Sequence, residues 1–319
     1  MTSYIGSAPY CFSNSLCMVL GEGAPPPAFL EVLTGSPFGF QLIAGEVPLF
    51  DPLGWDPEIG LDTAIELLGY TCERSECDDA DAALARLEAA VEEGPALAGP
   101  LDMGLLLHQP GSGSATGADH YVAVLAVDED TVVFHDPHGH PYATLPTAVF
   151  LEAWRAEKVA YIDQPHVLRS AFARRREVSP GEALHASLPG ALAWLGIRED
   201  RELPSGSLGN AQGLERLAEK IAAGDLPSDT RETTETFSVR VGARRLSDAS
   251  AALAGAGHHE AAGLLHAQAM LLGGLQYPLV TGDDATVVSG LRRLAPTYDE
   301  LRETLTRTLT ADGPAAADR

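Results

Sequence analysis

The sequence predicts an α+β domain with an antiparallel sheet over residues 1–165, followed by an all-α domain over residues 166–319. Residues 1–165 mix helical periodicity with apolar, β-branched runs that are typical of strands. Residues 166–319 show helical periodicity with almost no strand signal, and the composition changes after Pro165. A chain of 319 residues is long enough for two ordinary domains.

The charge balance is strongly acidic, with 45 acidic against 21 basic residues and a net charge of −24. Phosphate binding needs basic surface, so we expect no nucleic-acid partner. An acidic field favours a cationic small molecule, although it can also serve only to keep the protein soluble.

The sequence predicts a cytoplasmic protein with reduced thiols. The first residues, "MTSYIGSAPY", lack the basic and apolar regions of a secretory signal. The most apolar long segment, residues 249–275, is interrupted by histidines and a glutamate, so we expect no membrane span. The 4 cysteines are too few for a disulfide scaffold in a chain of this size.

The stretch "GSAPYCFSNSLCMVLGEG" predicts a first helix from Cys11 to Leu20, ended by Gly21 and Gly23. A thiol at the amino terminus of a helix has a lowered pKa, because the helix dipole favours the thiolate. Cys11 is therefore a candidate nucleophile, whereas Cys17 lies inside the helix, away from its tip.

The next elements are a loop rich in Gly and Phe, "SPFGFQLIAG", helices in "GLDTAIELLGY" and "DDADAALARLEAAVEEG", and a buried strand in "PALAGPLDMGLLL". A polar loop, "HQPGSGSATGAD", follows. We interpret Phe38, Phe40 and Asp102 as residues that shape a substrate pocket, with a purely structural role as the alternative.

The runs "HYVAVLAV" and "TVVFHDP" flank an acidic turn and predict an antiparallel hairpin. If the three residues 128–130 form the loop, Val122 opposes Asp136, and His120 becomes a diagonal neighbour of Asp136 at roughly 5–7 Å. A two-residue loop would reverse the parity and defeat this pairing. In the predicted register, Asp136 can hold the imidazole of His120 while that ring exchanges a proton with Cys11.

The sequence contains three further patterns. The histidines of "HDPHGHP" have ligand-like spacing, but the glycine and prolines favour a polar turn, so we predict neither a metal nor an organic cofactor. A short strand near residues 159–162 is expected to close the sheet. The basic patch "RSAFARRREV" is a candidate docking site for an acidic carrier protein, or simply a solvated edge.

The order of these motifs resembles a known family. Cys11 with "LCMVL" after it, and then "DHYVAVLAVDEDTVVFHDP", are similar to the papain-like cysteine peptidases that trim double-glycine leaders. The amino-terminal domain of the butirosin biosynthesis acyltransferase family is a longer match, because "SPFGFQLIAG" and "LAGPLDMGLLL" recur in its order across residues 1–165. The resemblance implies that Cys11 is the nucleophile, His120 the base and Asp136 the orienting acid.

The same resemblance implies an acyl (aminoacyl) transferase of specialised metabolism, such as antibiotic biosynthesis. It would form an amide from an acyl thioester and a small amine acceptor, with an acyl carrier protein as a possible donor. Two alternatives stay open: an amide or peptide hydrolase with the same residues, and a non-catalytic member that binds a small molecule or a carrier protein.

The sequence departs from the family where oxyanion stabilisation is concerned. The peptidases carry a glutamine about six residues before the cysteine, where this chain has Ile5. Oxyanion donors would therefore be backbone N–H groups at the helix start, with Asn14 or Ser7 as helpers. Tyr10 and Tyr121, the sequence neighbours of the candidate nucleophile and base, are further candidate substrate contacts.

Overall fold

The computed structural model describes residues 2–3, 5–6, 9–128, 130–198 and 200–311. It is a mixed α/β structure with antiparallel sheets and a helical carboxy-terminal region. The chain forms two compact units, Met1–Leu30 with Leu68–Glu177, and Glu31–Leu67 with Val178–Arg319.

The structure contains helices and strands in both units. The helices are α1 Cys11–Leu20, α2 Pro27–Leu33, α3 Pro57–Leu67, α4 Ala80–Glu93, α5 Thr147–Arg155, α6 Pro180–Leu195, α7 Asn210–Ala223, α8 Ser228–Thr233, α9 Val239–Gly255, α10 His259–Gly273, α11 Gln276–Thr281, α12 Asp284–Leu294 and α13 Thr297–Ala311. The strands are β1 Gln41–Ile43, β2 Val47–Leu49, β3 Tyr70–Ser75, β4 Ala96–Asp102, β5 Asp119–Asp128, β6 Thr131–Asp136, β7 His140–Pro146, β8 Leu168–Arg174 and β9 Leu208–Gly209.

The first unit contains a six-stranded antiparallel sheet in the order β3-β8-β4-β5-β6-β7. The predicted strand near 159–162 is wrong, because those residues form turns and the gap between β3 and β4 is filled by β8. Strand β8 contains part of the predicted basic patch, and its Arg169 is buried. The exposed basic residues of that patch are therefore confined to its end, Arg174–Arg176.

Helices α4 and α5 cover the apolar side chains of the central strands. Helix α4 begins at its N-cap Asp79, whose side chain accepts a hydrogen bond from the backbone N–H of Ala82 at 2.7 Å. Its Leu87 joins Phe150 and Trp154 of α5 in one buried cluster. Burial of these large side chains supplies the main stabilisation of the unit.

A bulge between β4 and β5 shapes the strand end that carries His120. Ala98 pairs with Val122, but Leu101 pairs with His120, so β4 has one more residue than β5 over this interval. Gly99 lies in the bulge with φ +151°, and a Cβ there would lie 2.4 Å from Cδ1 of Tyr121. Only glycine fits at this position without moving the tyrosine ring.

The second unit joins residues 31–67 to the carboxy-terminal helices. Its small antiparallel sheet has the order β2-β1-β9, and Gln41 of β1 pairs with Gly209 of β9. The side chain of Asn210 accepts a hydrogen bond from the N–H of Phe40 at 3.0 Å and donates one to the carbonyl of Leu195 at 3.0 Å. These bonds tie β1 to helices α6 and α7.

A buried ion network holds the same segment to α9. The Nε of Arg245 donates to Glu31 at 2.8 Å, and its Nη1 donates to Asp51 at 2.9 Å. All three side chains are buried, and the guanidinium lies 5.5 Å from the ring centroid of Trp55. The observed units therefore differ from the predicted division at residue 165, because long-range bonds that leave no local sequence signal assign residues 31–67 to the helical unit.

No helix within the described residues is both long enough and apolar enough to cross a membrane.

Candidate functional site

The carboxylate of Asp136 is the centre of a buried polar cluster in the first unit. Its Oδ1 accepts hydrogen bonds from Nε2 of His120 and from the backbone N–H of His138, both at 2.7 Å. Its Oδ2 accepts from Nε2 of His108 and from Nε2 of Gln109, again both at 2.7 Å. The side chain is entirely buried, so these four donors replace its hydration.

Competing effects set the charge of this carboxyl. Burial alone would raise the pKa of Asp136, but the hydrogen bonds from His108 and His120 and the backbone N–H of His138 lower it well below its usual range. Asp136 is therefore an anion at neutral pH, and a charged acceptor makes each of these hydrogen bonds stronger than a neutral one.

The ring of His120 has a defined orientation. Because the carboxylate of Asp136 only accepts, Nε2 of His120 carries the hydrogen of their bond. The other ring nitrogen, Nδ1, is then the one that can exchange a proton with a nucleophile. The ring is almost fully buried, and its edge lies against His138, with the ring centroids 5.9 Å apart.

The predicted pairing of His120 with Asp136 is confirmed, but the predicted three-residue loop over 128–130 is wrong. Asp128 pairs with Thr131, so only two residues connect the strands. The register then shifts between Val124 and Ala126, which restores the parity. Continuing the shifted register places Val122 opposite Asp136, as the longer loop would have done.

Helix α1 begins at Cys11 and ends at Leu20, as predicted. Cys11 is partly exposed and Cys17 is buried, and neither forms a disulfide among the described residues. One turn after Cys11 on the same helix face, the hydroxyl of Ser15 donates to the carbonyl of Tyr121 at 2.9 Å. Through Ser15, helix α1 is thus fixed to the part of β5 that adjoins His120.

The helix start engages two of the predicted oxyanion donors. The backbone N–H of Cys11 donates to the carbonyl of Pro9 at 2.9 Å. The side-chain amide of Asn14 is buried and donates to the carbonyl of Tyr10 at 2.7 Å. One N–H of that amide therefore stabilises the helix start. Ser7, the other predicted helper, lies outside the described residues.

The remaining predicted contacts are buried. Tyr10 is the N-cap of α1, and the ring of Tyr121 packs edge-on against Phe12. The hydroxyl of Tyr121 lies 3.2 Å from that of Tyr161, which donates to Asp119 at 3.0 Å. The tyrosine next to His120 is thus held at both its ring and its hydroxyl.

Phe38 and Phe40 belong to the second unit, where both are fully buried and Phe40 packs against Phe50 at 5.0 Å between ring centroids. Their role in a substrate pocket stays a prediction.

The buried carboxylate of Asp102 organises the loop after β4. Its Oδ1 accepts from the backbone N–H groups of Gly104 and Thr116, both at 3.0 Å. Its Oδ2 accepts from the N–H of Gly117 at 2.9 Å. These bonds close the base of the loop, so the structure accounts for Asp102 as a loop anchor.

Sequence reasoning missed two residues of the cluster, His108 and Gln109. Both lie in the loop that Asp102 closes, and no local pattern indicates that this loop reaches Asp136. The sequence offers one weak signal for them, which is that they begin the polar, Gly-rich loop "HQPGSGSATGAD".

The neighbouring histidine His135 has a different environment. Burial lowers its pKa, while a hydrogen bond to the carbonyl of Thr2 opposes that effect. Its Nδ1 accepts from the N–H of Tyr142 at 3.0 Å, so the ring is a neutral structural element.

Within the described residues, no group of three or more His, Cys, Asp or Glu side chains is arranged to hold a metal ion.

Comparison with known proteins finds two similarities. The YobF C-terminal domain family matches residues 204–306, which lie in the second unit. A Bacillus subtilis (strain 168) protein, described as "Uncharacterized protein YobF", is 36% identical over 165 residues. That match covers 50% of this chain and 53% of the relative, so the chain spans about half the length of the curated protein it matches.

Proposed function

We propose that the first unit is a papain-like domain that catalyses cysteine-dependent acyl transfer through Cys11, His120 and Asp136. The observation that carries the proposal is the 2.7 Å bond between Nε2 of His120 and a fully buried Asp136 that is held ionised. An imidazole fixed in this way is the base that an activated thiol needs. The partly exposed Cys11 at the start of α1 supplies the thiol.

In the proposed reaction, Nδ1 of His120 takes the proton of Cys11, and the thiolate adds to the carbonyl carbon of an acyl thioester or amide. Collapse of the tetrahedral intermediate breaks the bond to the leaving group, which takes the proton from His120. The acyl group is then a thioester of Cys11. An amine attacks this thioester and loses its proton to His120, and the thiolate of Cys11 departs.

The proposed acceptor is a small amine, and the proposed donor is an acyl thioester such as that of an acyl carrier protein. The net charge of −24 supports a cationic acceptor, because it concentrates cations near the protein surface. Water as acceptor would make the same residues a hydrolase.

The test is the pH dependence of Cys11 alkylation by iodoacetamide, read by peptide mass spectrometry. An ordinary thiol with a pKa near 8.5 holds roughly 0.3% thiolate at pH 6. A thiolate paired with imidazolium reacts well below pH 7. We expect rapid labelling of Cys11 at pH 6 and a loss of about 100-fold in His120→Ala. The buried Cys17 is the internal control.

The proposed function is contradicted if the alkylation rate of Cys11 follows the pH dependence of an ordinary thiol and His120→Ala leaves that dependence unchanged. If the thiol is activated, an acyl N-acetylcysteamine thioester supplied with putrescine distinguishes transfer from hydrolysis. Mass spectrometry then detects either the amide or the free acid, with Cys11→Ala as the inactive control.

A further inference from the structure

His108 and Gln109 bind the same oxygen of the carboxylate that orients His120. His108 lies 2.7 Å from Oδ2 of Asp136, and its side chain is only 10% exposed. The amide of Gln109, also buried, donates to this oxygen at 2.7 Å. Asp136 therefore accepts hydrogen bonds from His120 in β5 and from His138 in the turn after β6, and two more from the loop after β4.

The hydrogen-bond geometry makes Nε2 of His108 a donor to Asp136. Its Nε2 faces a carboxylate that only accepts, so Nε2 carries a hydrogen. Its Nδ1 is buried and has no hydrogen-bond partner among the described residues. The ring is held edge-on by Phe134 at 5.0 Å and by His140 at 5.2 Å between centroids.

Two buried carboxylates bind the loop that carries these donors. Asp102 closes its base through the N–H groups of Gly104, Thr116 and Gly117. Asp136 holds its tip through His108 and its neighbour Gln109. Leu107, immediately before His108, is 55% exposed, whereas Leu106 is fully buried in the apolar core of the unit, so burial of Leu106 and these polar bonds hold the loop together.

We propose that His108 is a positioning residue, whose Nε2–H fixes the carboxylate of Asp136 so that the other carboxylate oxygen stays aimed at His120. This inference rests on the proposed function and assigns to the loop after β4 a part in controlling the base. The groups that face the carboxylate are His108 and Gln109 from the loop, His120 from β5 and the backbone N–H of His138.

The geometry sets the direction of the expected effect. A carboxylate that loses one of four donors is less stabilised as an anion, so it accepts the remaining hydrogen bonds more strongly. Removal of the donor should then strengthen the hydrogen bond from Nε2 of His120 to Asp136. If His108 serves only to keep the loop in place, its removal admits water to Asp136 and weakens that hydrogen bond.

The experiment is ¹H–¹⁵N NMR of the histidine ring nitrogens and their hydrogens in the wild-type protein, His108→Gln and His108→Phe. Glutamine keeps an N–H donor of similar reach, whereas phenylalanine keeps the ring without a donor. The signals are assigned with His120→Gln and with the two His108 variants.

We expect His108 of the wild-type protein to carry its hydrogen on Nε2. The Nε2–H resonance of His120 should move downfield in His108→Phe and keep its position in His108→Gln. The proposal is overturned if His108 of the wild-type protein carries its hydrogen on Nδ1 alone, or if His108→Phe leaves the Nε2–H resonance of His120 unchanged or moves it upfield.

The wild-type spectrum keeps the proposal testable even if His108→Phe does not fold. The readout is also independent of Cys11. If His120 responds to the His108 substitutions but Cys11 is not activated, the proposed acyl transfer is rejected and this inference is retained. If Cys11 is activated but His120 does not respond, this inference is rejected and the proposed acyl transfer is retained.

Discussion

The Nε2 of His120 lies 2.7 Å from Oδ1 of Asp136, a carboxylate that is entirely buried and held ionised by four hydrogen-bond donors. Every donor to this carboxylate is directional, so its orientation is set from the hairpin and from the loop after β4 at once. A buried charge that is fully hydrogen-bonded is costly to disturb, because removing the acceptor strands its donors.

The first prediction concerns the charge of this acceptor. In Asp136→Asn, the new amide either turns a donor toward a histidine N–H or forces a ring to change its tautomer. We expect labelling of Cys11 at pH 6 to slow about tenfold or more, because His120 is no longer held for proton exchange. Asp128→Asn, an exposed change on the same hairpin, should leave the rate within twofold. Equal rates in both variants would contradict the proposed role of Asp136.

The second prediction is the pH dependence of stability. The pKa of Asp136 in the folded state is lowered from 3.8, so below about pH 4 this carboxyl is protonated in the unfolded chain but still ionised in the folded protein. The contribution of ionised Asp136 to the free energy of unfolding is fully present above about pH 5 and is lost as the pH falls below about 4. Urea unfolding of wild type and Asp136→Asn should show a constant difference in free energy from pH 7 to pH 5, which narrows below pH 4. A difference that widens on acidification would contradict this sign.

The third prediction uses two glycines with nearly the same backbone angle. Gly99 has φ +151° and Gly113 has φ +153°, but a Cβ at Gly99 would contact the Tyr121 ring, whereas one at Gly113 meets nothing within 4 Å. Gly113→Ala should cost only backbone strain, about 1 kcal/mol. Gly99→Ala should cost a further 1–3 kcal/mol or so, because Tyr121 must move. Urea unfolding measures the free energy of unfolding of both variants. Equal losses in the two variants would show that the Tyr121 ring moves at no measurable cost.

The sequence predicts much of the candidate site because the signals are local. The glycines after Leu20 end α1 where expected, and the alternating apolar residues around His120 and Asp136 define two strands that must pair. The pairing itself was predicted for the wrong reason, since the turn is shorter than expected and a bulge corrects the register. A bulge of this kind needs no special residue and leaves no mark in the sequence.

The rest depends on contacts between distant parts of the chain. His108 reaches Asp136 only because Asp102 closes the loop between them, and no periodicity predicts a loop conformation. In the second unit, Arg245 binds Glu31 across 214 positions. Such pairs decide which segment belongs to which unit, whereas composition windows detect only neighbours in sequence.

The last prediction concerns this buried network. Arg245→Met keeps the apolar stem but removes the cation shared by Glu31 and Asp51, which leaves two buried carboxylates without their common partner. We expect a loss of about 3–5 kcal/mol in the free energy of unfolding. Arg240→Met, an exposed change on the same helix, should cost less than about 0.5 kcal/mol. Adding Glu31→Gln to Arg245→Met should recover part of the loss, because one of the stranded charges is removed. Similar unfolding free energies for the two single variants would mean that the carboxylates find other partners, and the network would then not explain why residues 31–67 fold with the helices.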